Sequence, residues 1–231
     1  MLEAVVLAGG LGTRLSSVLE GLPKPMAPIA GRPFLEILLK GLLRCGCPQA
    51  ILSIGYRSHV IRDYFGDSFG AMRLRYSEER DPLGTGGAIR QALSLIDGKR
   101  GLILNGDTLV TLDYDEMTRE HCEFGSHVSI AVIESADSQR YGKIVVNNGV
   151  VERFAEKSDS GRGLINAGVY IFDRDISWGA VGQKFSIEKD FLAPSVARLR
   201  PHAFLTSGYF IDIGVPEDYA RAQQELAQFC E

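Results

Sequence analysis

One stretch near the start limits what this chain can become. Val5-Val6-Leu7-Ala8 runs without a polar break into Gly9-Gly10-Leu11-Gly12-Thr13-Arg14-Leu15, and Pro23-Lys24-Pro25 follows closely. A continuous apolar run, rather than an alternating one, is the pattern of a strand covered on both faces, as in the middle of a parallel sheet. The glycines that follow lack a Cβ, so their backbone can turn sharply and bring N–H groups against a ligand. Successive N–H groups in such a turn form a concave nest for phosphate oxygens. Arg14 adds a planar fork of donors and Lys24 a compact charge. The stretch therefore predicts a polyphosphate grip. Neither common glycine loop fits it. A dinucleotide fingerprint starting at Gly10 and Gly12 would need glycine where Leu15 stands, and a Walker A loop would need glycine where Pro23 precedes Lys24.

The first part of the chain alternates strand and helix patterns. Residues 3–8, 50–54, 72–76 and 101–105 read as strands. Helices are expected over 33–45, 59–65, from Gly84 to Ile96, and from Asp113 to Cys122. This rhythm predicts a doubly wound α/β sheet. After residue 126 strands dominate, at 128–133, 143–146, 150–154 and 165–172, with Asn147-Asn148-Gly149 as a hairpin turn. A helix over 186–200 should be kinked or broken by Pro194. Short strands at 203–206 and 209–213 precede a last helix that starts at Pro216. The second half is expected to extend the same sheet and to cover the site.

The 231 residues carry a formal net charge of −4. That argues against a nucleic-acid partner held by phosphate attraction. The apolar run at 4–8 is too short to span a membrane and lacks the basic flank of a signal peptide, so a cytoplasmic location is expected. Cys45, Cys47, Cys122 and Cys230 lack the paired spacing of a zinc site and are expected to be reduced thiols.

The motif LAGGLGTRL followed by PKP resembles the signature of the sugar-1-phosphate nucleotidyltransferases. These enzymes join a nucleoside triphosphate to a sugar 1-phosphate and release pyrophosphate. LGTGGAI, LINAGVYIF, KFSIEKDFL and YFIDIGVPEDY extend the resemblance from Val5 to Tyr219. Together with KPMAPIAGRPFLE they are most similar to the D-glycero-D-manno-heptose 1-phosphate guanylyltransferases. The resemblance implies a single α/β domain over 1–231, a Rossmann-like, doubly wound mixed sheet of the GT-A-like type. Residues 1–126 would bind nucleotide and the β-rich 127–231 the sugar phosphate. No β-helix tail follows residue 231, so the acetyltransferase activity of some relatives is not expected.

Ligands of open α/β sheets bind beyond the carboxyl ends of the strands. Asn105-Gly106-Asp107 ends one such strand, and Asp212 stands in the apolar run Phe210-Ile211-Asp212-Ile213. A carboxylate among apolar residues is costly unless paired or bound to metal. The resemblance makes Asp107 and Asp212 the ligands of Mg²⁺, the expected cofactor; a buried Asp212 capping the next helix is the competing reading. Asp113-Tyr114-Asp115 matches the D-x-D metal motif of glycosyltransferases, but Glu116 follows Asp113 by three, the spacing of a capping box, and a helix cap is expected instead. On the nucleotide side the resemblance implicates Leu7, Gly9, Gly10, Gly12, Thr13, Arg14, Gly84, Thr85 and Gly106. A carboxylate from Glu78 or Glu79, just before Leu83-Gly84-Thr85-Gly86-Gly87, would accept guanine's two adjacent N–H groups. On the sugar side it implicates Gly142, Glu156, Lys157 and Asn166, with Lys157 on the phosphate. Arg14, Lys24, Asp107 and Lys157 would carry the chemistry. A thymidylyl- or uridylyltransferase acting on a hexose 1-phosphate, a mannose-1-phosphate guanylyltransferase, and a sugar-nucleotide sensor without turnover remain alternatives. The partners expected are the two small-molecule substrates, with no nucleic acid and no membrane; a homo-oligomer is compatible with the sequence.

Overall fold

The computed structural model describes residues 2–10, 15, 19, 21–136, 138, 141–155 and 161–229. Strand β1 (Glu3–Leu7) leads to a small ribbon of β2 (Pro28–Ile29) and β3 (Arg32–Pro33), then helix α1 (Phe34–Arg44). The chain continues through β4 (Gln49–Ile54), α2 (Ser58–Phe65), β5 (Ser68–Phe69), β6 (Met72–Glu78), α3 (Gly84–Leu93), β7 (Arg100–Asn105), β8 (Thr108–Val110) and α4 (Tyr114–Phe124). The β-rich part comprises β9 (Val128–Ser135), β10 (Lys143–Asn147), β11 (Val150–Phe154) and β12 (Gly163–Asp173). After these come α5 (Ala193–Leu199), β13 (His202–Thr206), β14 (Phe210–Asp212) and α6 (Pro216–Glu225).

Among the described residues one ten-stranded sheet runs in the order β10-β11-β13-β9-β12-β7-β1-β4-β6-β5. Strands β6, β4, β1 and β7 are mutually parallel, and β12 lies antiparallel against β7. From β1 the chain moves outward to β4 and β6, then returns to the other side of β1 for β7. The carboxyl ends of β1 and β7 therefore flank the point where the winding reverses, the place where such sheets bind ligands.

Alternation along β1 sorts the core onto two faces. Ala4 and Val6 join the cluster that holds Phe34, Leu35, Leu38 and Leu42 of α1, while Val5 joins the cluster with Ile89, Ala92 and Leu93 of α3. All three β1 side chains are fully buried, as their unbroken apolar run predicts. The second half extends the sheet as expected, with β10 and β11 joined as the foreseen hairpin.

Two local expectations resolve in detail. Asp113 caps α4, its carboxylate accepting the Glu116 N–H at 2.9 Å, so Asp113-Tyr114-Asp115 is a helix start and not a metal motif. The helix expected over 186–200 is not broken at Pro194. It opens as a π-turn over Ile187–Leu192 and tightens into α5 with Pro194 in its first turn. Proline has no N–H, and its ring crowds the carbonyl four residues back; the wider preceding turn makes room for both.

Candidate active site

At the reversal point the carboxyl ends of the parallel strands enclose a cleft of about 520 Å³. Leu7, Gly9 and Gly10 form its floor, Gly55, Tyr56, Glu79 and Arg80 one wall, Gly84 and Thr85 another, and Asn105, Gly106, Asp107 and Lys24 the end nearest β7. The β1 and β7 loops are held together by the Gly106 N–H, which donates to the Leu7 carbonyl at 3.0 Å. A Cβ on Gly106 would come within 2.3 Å of that same oxygen, so no other residue permits the approach. The sharp exit from β7 that follows aims Asp107 into the cleft.

Asp212 reaches the same place by a different route. Strand β14 pairs with β8 apart from the main sheet, with Asp212 opposite Thr108. The Ile213 N–H donates to the Asp107 carbonyl at 2.9 Å. The Gly214 N–H donates to Asp212 Oδ1 at 2.6 Å and fixes the carboxylate. The helix that follows, α6, has Val215 at its N-cap position, with no side-chain cap bond from that residue.

Lys24 sits between the two acids. Pro23 and Pro25 flank it in a single 3₁₀ turn, Lys24–Met26, and the residue is only 8% exposed. Its ammonium donates to Asp107 Oδ2 and lies 3.8 Å from Asp212 Oδ1. Two carboxylates thus converge on one cation, leaving a net negative charge. An all-oxygen donor pair of this kind suits a hard divalent ion that completes its shell with water and phosphate oxygens.

Glu79, at the end of β6, faces the cleft. Its Oε2 accepts the Leu83 N–H at 2.9 Å, and Ser53 Oγ donates to Oε1 at 3.4 Å. Glu78 points the other way, out of the cleft, accepting from Ser58 Oγ at 2.7 Å and pairing with Arg62 at 3.2 Å. Of the two glutamates, Glu79 lines the cleft and Glu78 does not. Thr85 lines the cleft while its Oγ1 accepts the Ile187 N–H at 2.9 Å.

Gly142, just before β10, and Asn166, on the neighbouring β12, lie outside the cleft lining. The β10–β12 ladder pairs Lys143 with Ile165 and runs on toward Gly142 and Asn166. Gly12, Thr13, Arg14, Glu156 and Lys157 fall outside the described residues. Sequence reasoning missed Tyr56 and Arg80. Gly55-Tyr56 directly follows β4, so the rule that sites gather at strand ends would have found it. Cys45, Cys47 and Cys122 are free thiols. Among the described residues no helix is long and apolar enough to cross a membrane.

The model of the family described as "Nucleotidyl transferase" matches residues 3–228. D-glycero-alpha-D-manno-heptose 1-phosphate guanylyltransferase of Aneurinibacillus thermoaerophilus is 41% identical over 229 residues, covering 99% of this chain and 100% of the relative. The enzyme of the same name from Campylobacter jejuni is 40% identical, over 94% of this chain and 97% of its own. Among solved structures, HddC from Yersinia pseudotuberculosis superposes with a TM-score of 0.87 at 39% identity, covering 98% of this chain and all of the other. The same protein complexed with GMP-PN gives a TM-score of 0.86 at 38% identity, again over 98% of this chain and all of the other. With a family model matched over 3–228 and relatives at 40–41% identity matched over nearly their whole length, the chain belongs to the nucleotidyl transferase family.

Proposed function

We propose that this chain is a Mg²⁺-dependent, cytoplasmic D-glycero-α-D-manno-heptose 1-phosphate guanylyltransferase, converting GTP and the heptose 1-phosphate into GDP-heptose and pyrophosphate for polysaccharide assembly. The observation that carries it is the convergence of Asp107 and Asp212 on Lys24 at the mouth of the nucleotide-sized cleft. The names of the full-length relatives, and the GMP-PN complexed with the Yersinia protein, support the choice of base and sugar. On this reading residues 1–126 serve the nucleotide and 127–231 the sugar phosphate.

A sugar-phosphate oxygen attacks the α-phosphorus of GTP; the new O–P bond forms as the bond to the β-phosphate oxygen breaks, and its electron pair leaves with pyrophosphate. A phosphate dianion is already nucleophilic, so no general base is needed, and catalysis consists of positioning and charge neutralisation. Asp107 and Asp212 would hold Mg²⁺, which supplies positive charge shared among phosphate oxygens when bound. Lys24 offsets the repulsion between those carboxylates and adds its own charge against the anions. The Gly9–Gly10 turn cradles phosphates together with Arg14, Glu79 reads the guanine N–H groups, and Lys157 with Glu156, Gly142 and Asn166 holds the sugar phosphate.

The test is pyrophosphate release from GTP, ATP, UTP and dTTP, each paired with heptose, mannose and glucose 1-phosphates. GTP with the heptose phosphate should give the highest kcat/KM. A pyrimidine triphosphate used as well as GTP would overturn the base assignment, and preference for mannose 1-phosphate would overturn the sugar.

A further inference from the structure

The π-turn after Ser186 bridges the two halves of the site. Its first residue, Ile187, donates its N–H to Thr85 Oγ1 in the cleft wall. Its second residue, Glu188, reaches the opposite way and accepts through Oε1 from Asn166 Nδ2. Asn166 stands where the pairing of β12 with β9 loses register, between Asn166 and Tyr170. Such irregularities re-aim side chains beside active sites. The amide is gripped on three sides. Nδ2 donates to Glu188 Oε1 and to the Tyr170 hydroxyl, and Oδ1 accepts the Gly168 N–H at 3.0 Å. The fully buried Tyr170 in turn donates its hydroxyl to Glu188 Oε1 at 3.5 Å.

An ionised carboxylate only accepts, so the group facing Glu188 has to be the NH₂ end of Asn166. Both amide hydrogens are then used, and what Asn166 has left to offer is one lone pair on Oδ1. We propose that Glu188 is a positioning residue: it fixes the Asn166 amide so that Asn166 meets the sugar 1-phosphate as an acceptor, selecting a substrate hydroxyl that donates. This rests on the reading that Asn166 serves the sugar side. Glu188 itself touches no substrate.

A Glu188→Gln variant tests it, since an amide in place of the carboxylate can donate and so permits Asn166 to turn over. With the sugar 1-phosphate the parent uses best, KM for the sugar should rise about tenfold to a hundredfold, the effect of losing a charged hydrogen bond. KM for the triphosphate and the Tm should hold. In an Asn166→Ala background the same change should do nothing further, because it acts through that amide. The side-chain amide signal of Asn166 in the free protein, followed by ¹⁵N NMR, should move in Glu188→Gln. Both KM values rising together with a lower Tm, or additive effects in the double variant, would overturn the proposal. Should the parent turn over no sugar 1-phosphate, the enzyme reading itself has failed; the Asn166 signal then decides, and an unmoved signal overturns the positioning role.

Discussion

The Glu79 carboxylate lies across Gly9, so close that a Cβ on Gly9 would come within 2.6 Å of Glu79 Oε1. The phosphate turn and the proposed base reader are thus in direct contact, and Glu79 is pinned from behind by the Leu83 N–H. Gly9→Ala should push the carboxylate aside and raise KM for GTP by roughly tenfold or more, the scale of one buried hydrogen bond disturbed. Glu79→Gln should keep the Leu83 bond but narrow the preference for GTP over UTP, because an amide both donates and accepts. An unchanged GTP:UTP ratio of kcat/KM in Glu79→Gln would remove guanine reading from this residue.

Asp107→Asn and Asp212→Asn should each fold and each lose turnover by roughly two to four decades, as expected for weakening a site worth several kcal/mol to the transition state. The check is single-turnover kinetics at limiting Mg²⁺. Near-normal rates in either variant would take that residue out of the metal site.

Lys24 separates two carboxylates, so its removal should be felt before any substrate arrives. Lys24→Met leaves two like charges facing each other in a partly buried place without the cation that offset them. Its Tm should fall, and added Mg²⁺ should recover more of it than the same ion gives the parent. Equal Mg²⁺ shifts in both proteins would show that Lys24 and the ion do not share the two acids.

How much of this was legible beforehand can be traced residue by residue. Buried parallel strands announce themselves as apolar runs, and Asp113 with Glu116 announces a cap; both needed only local chemistry. The strand order beyond β7 needed long-range pairing that no window of sequence contains. Glu78 and Glu79 were indistinguishable because alternation says only that they face opposite sides, and a one-residue shift exchanges them. Lys24 was foreseen as a phosphate ligand; that it first answers two carboxylates depends on β14 folding back onto β8. Glu188 carried no local signal, since its partner Asn166 is set by an irregular stretch of another strand.

Away from the site, His121 and His202 meet at Ser129, whose Oγ lies 2.8 Å from His121 Nδ1 and 3.4 Å from His202 Nδ1. Burial, first, holds both imidazoles below their ordinary value; at His121 the Asp173 carboxylate opposes this while Arg100 and His127 add to it, and at His202 the His121 ring adds to it. A folded state that resists protonation keeps its full stability above the unfolded value of about 6.5 and loses it as pH falls through the lowered folded values. Thermal melts should therefore show Tm holding above and falling below about pH 6.5, and His121→Gln should flatten that fall. An equally steep fall in that variant would assign the pH dependence to other groups.

On the proposed reading, Asp212 also sets when the pair of acids is complete. The nucleotide cleft is drawn largely from the first half of the chain, yet its second acid comes on β14, close to the last helix. Because chains emerge from the ribosome amino end first, a nascent polypeptide can assemble the parallel strands and their phosphate turn while the metal pair is still half missing. On the proposed reading, chains interrupted before Phe210 would lack the second of the two acids.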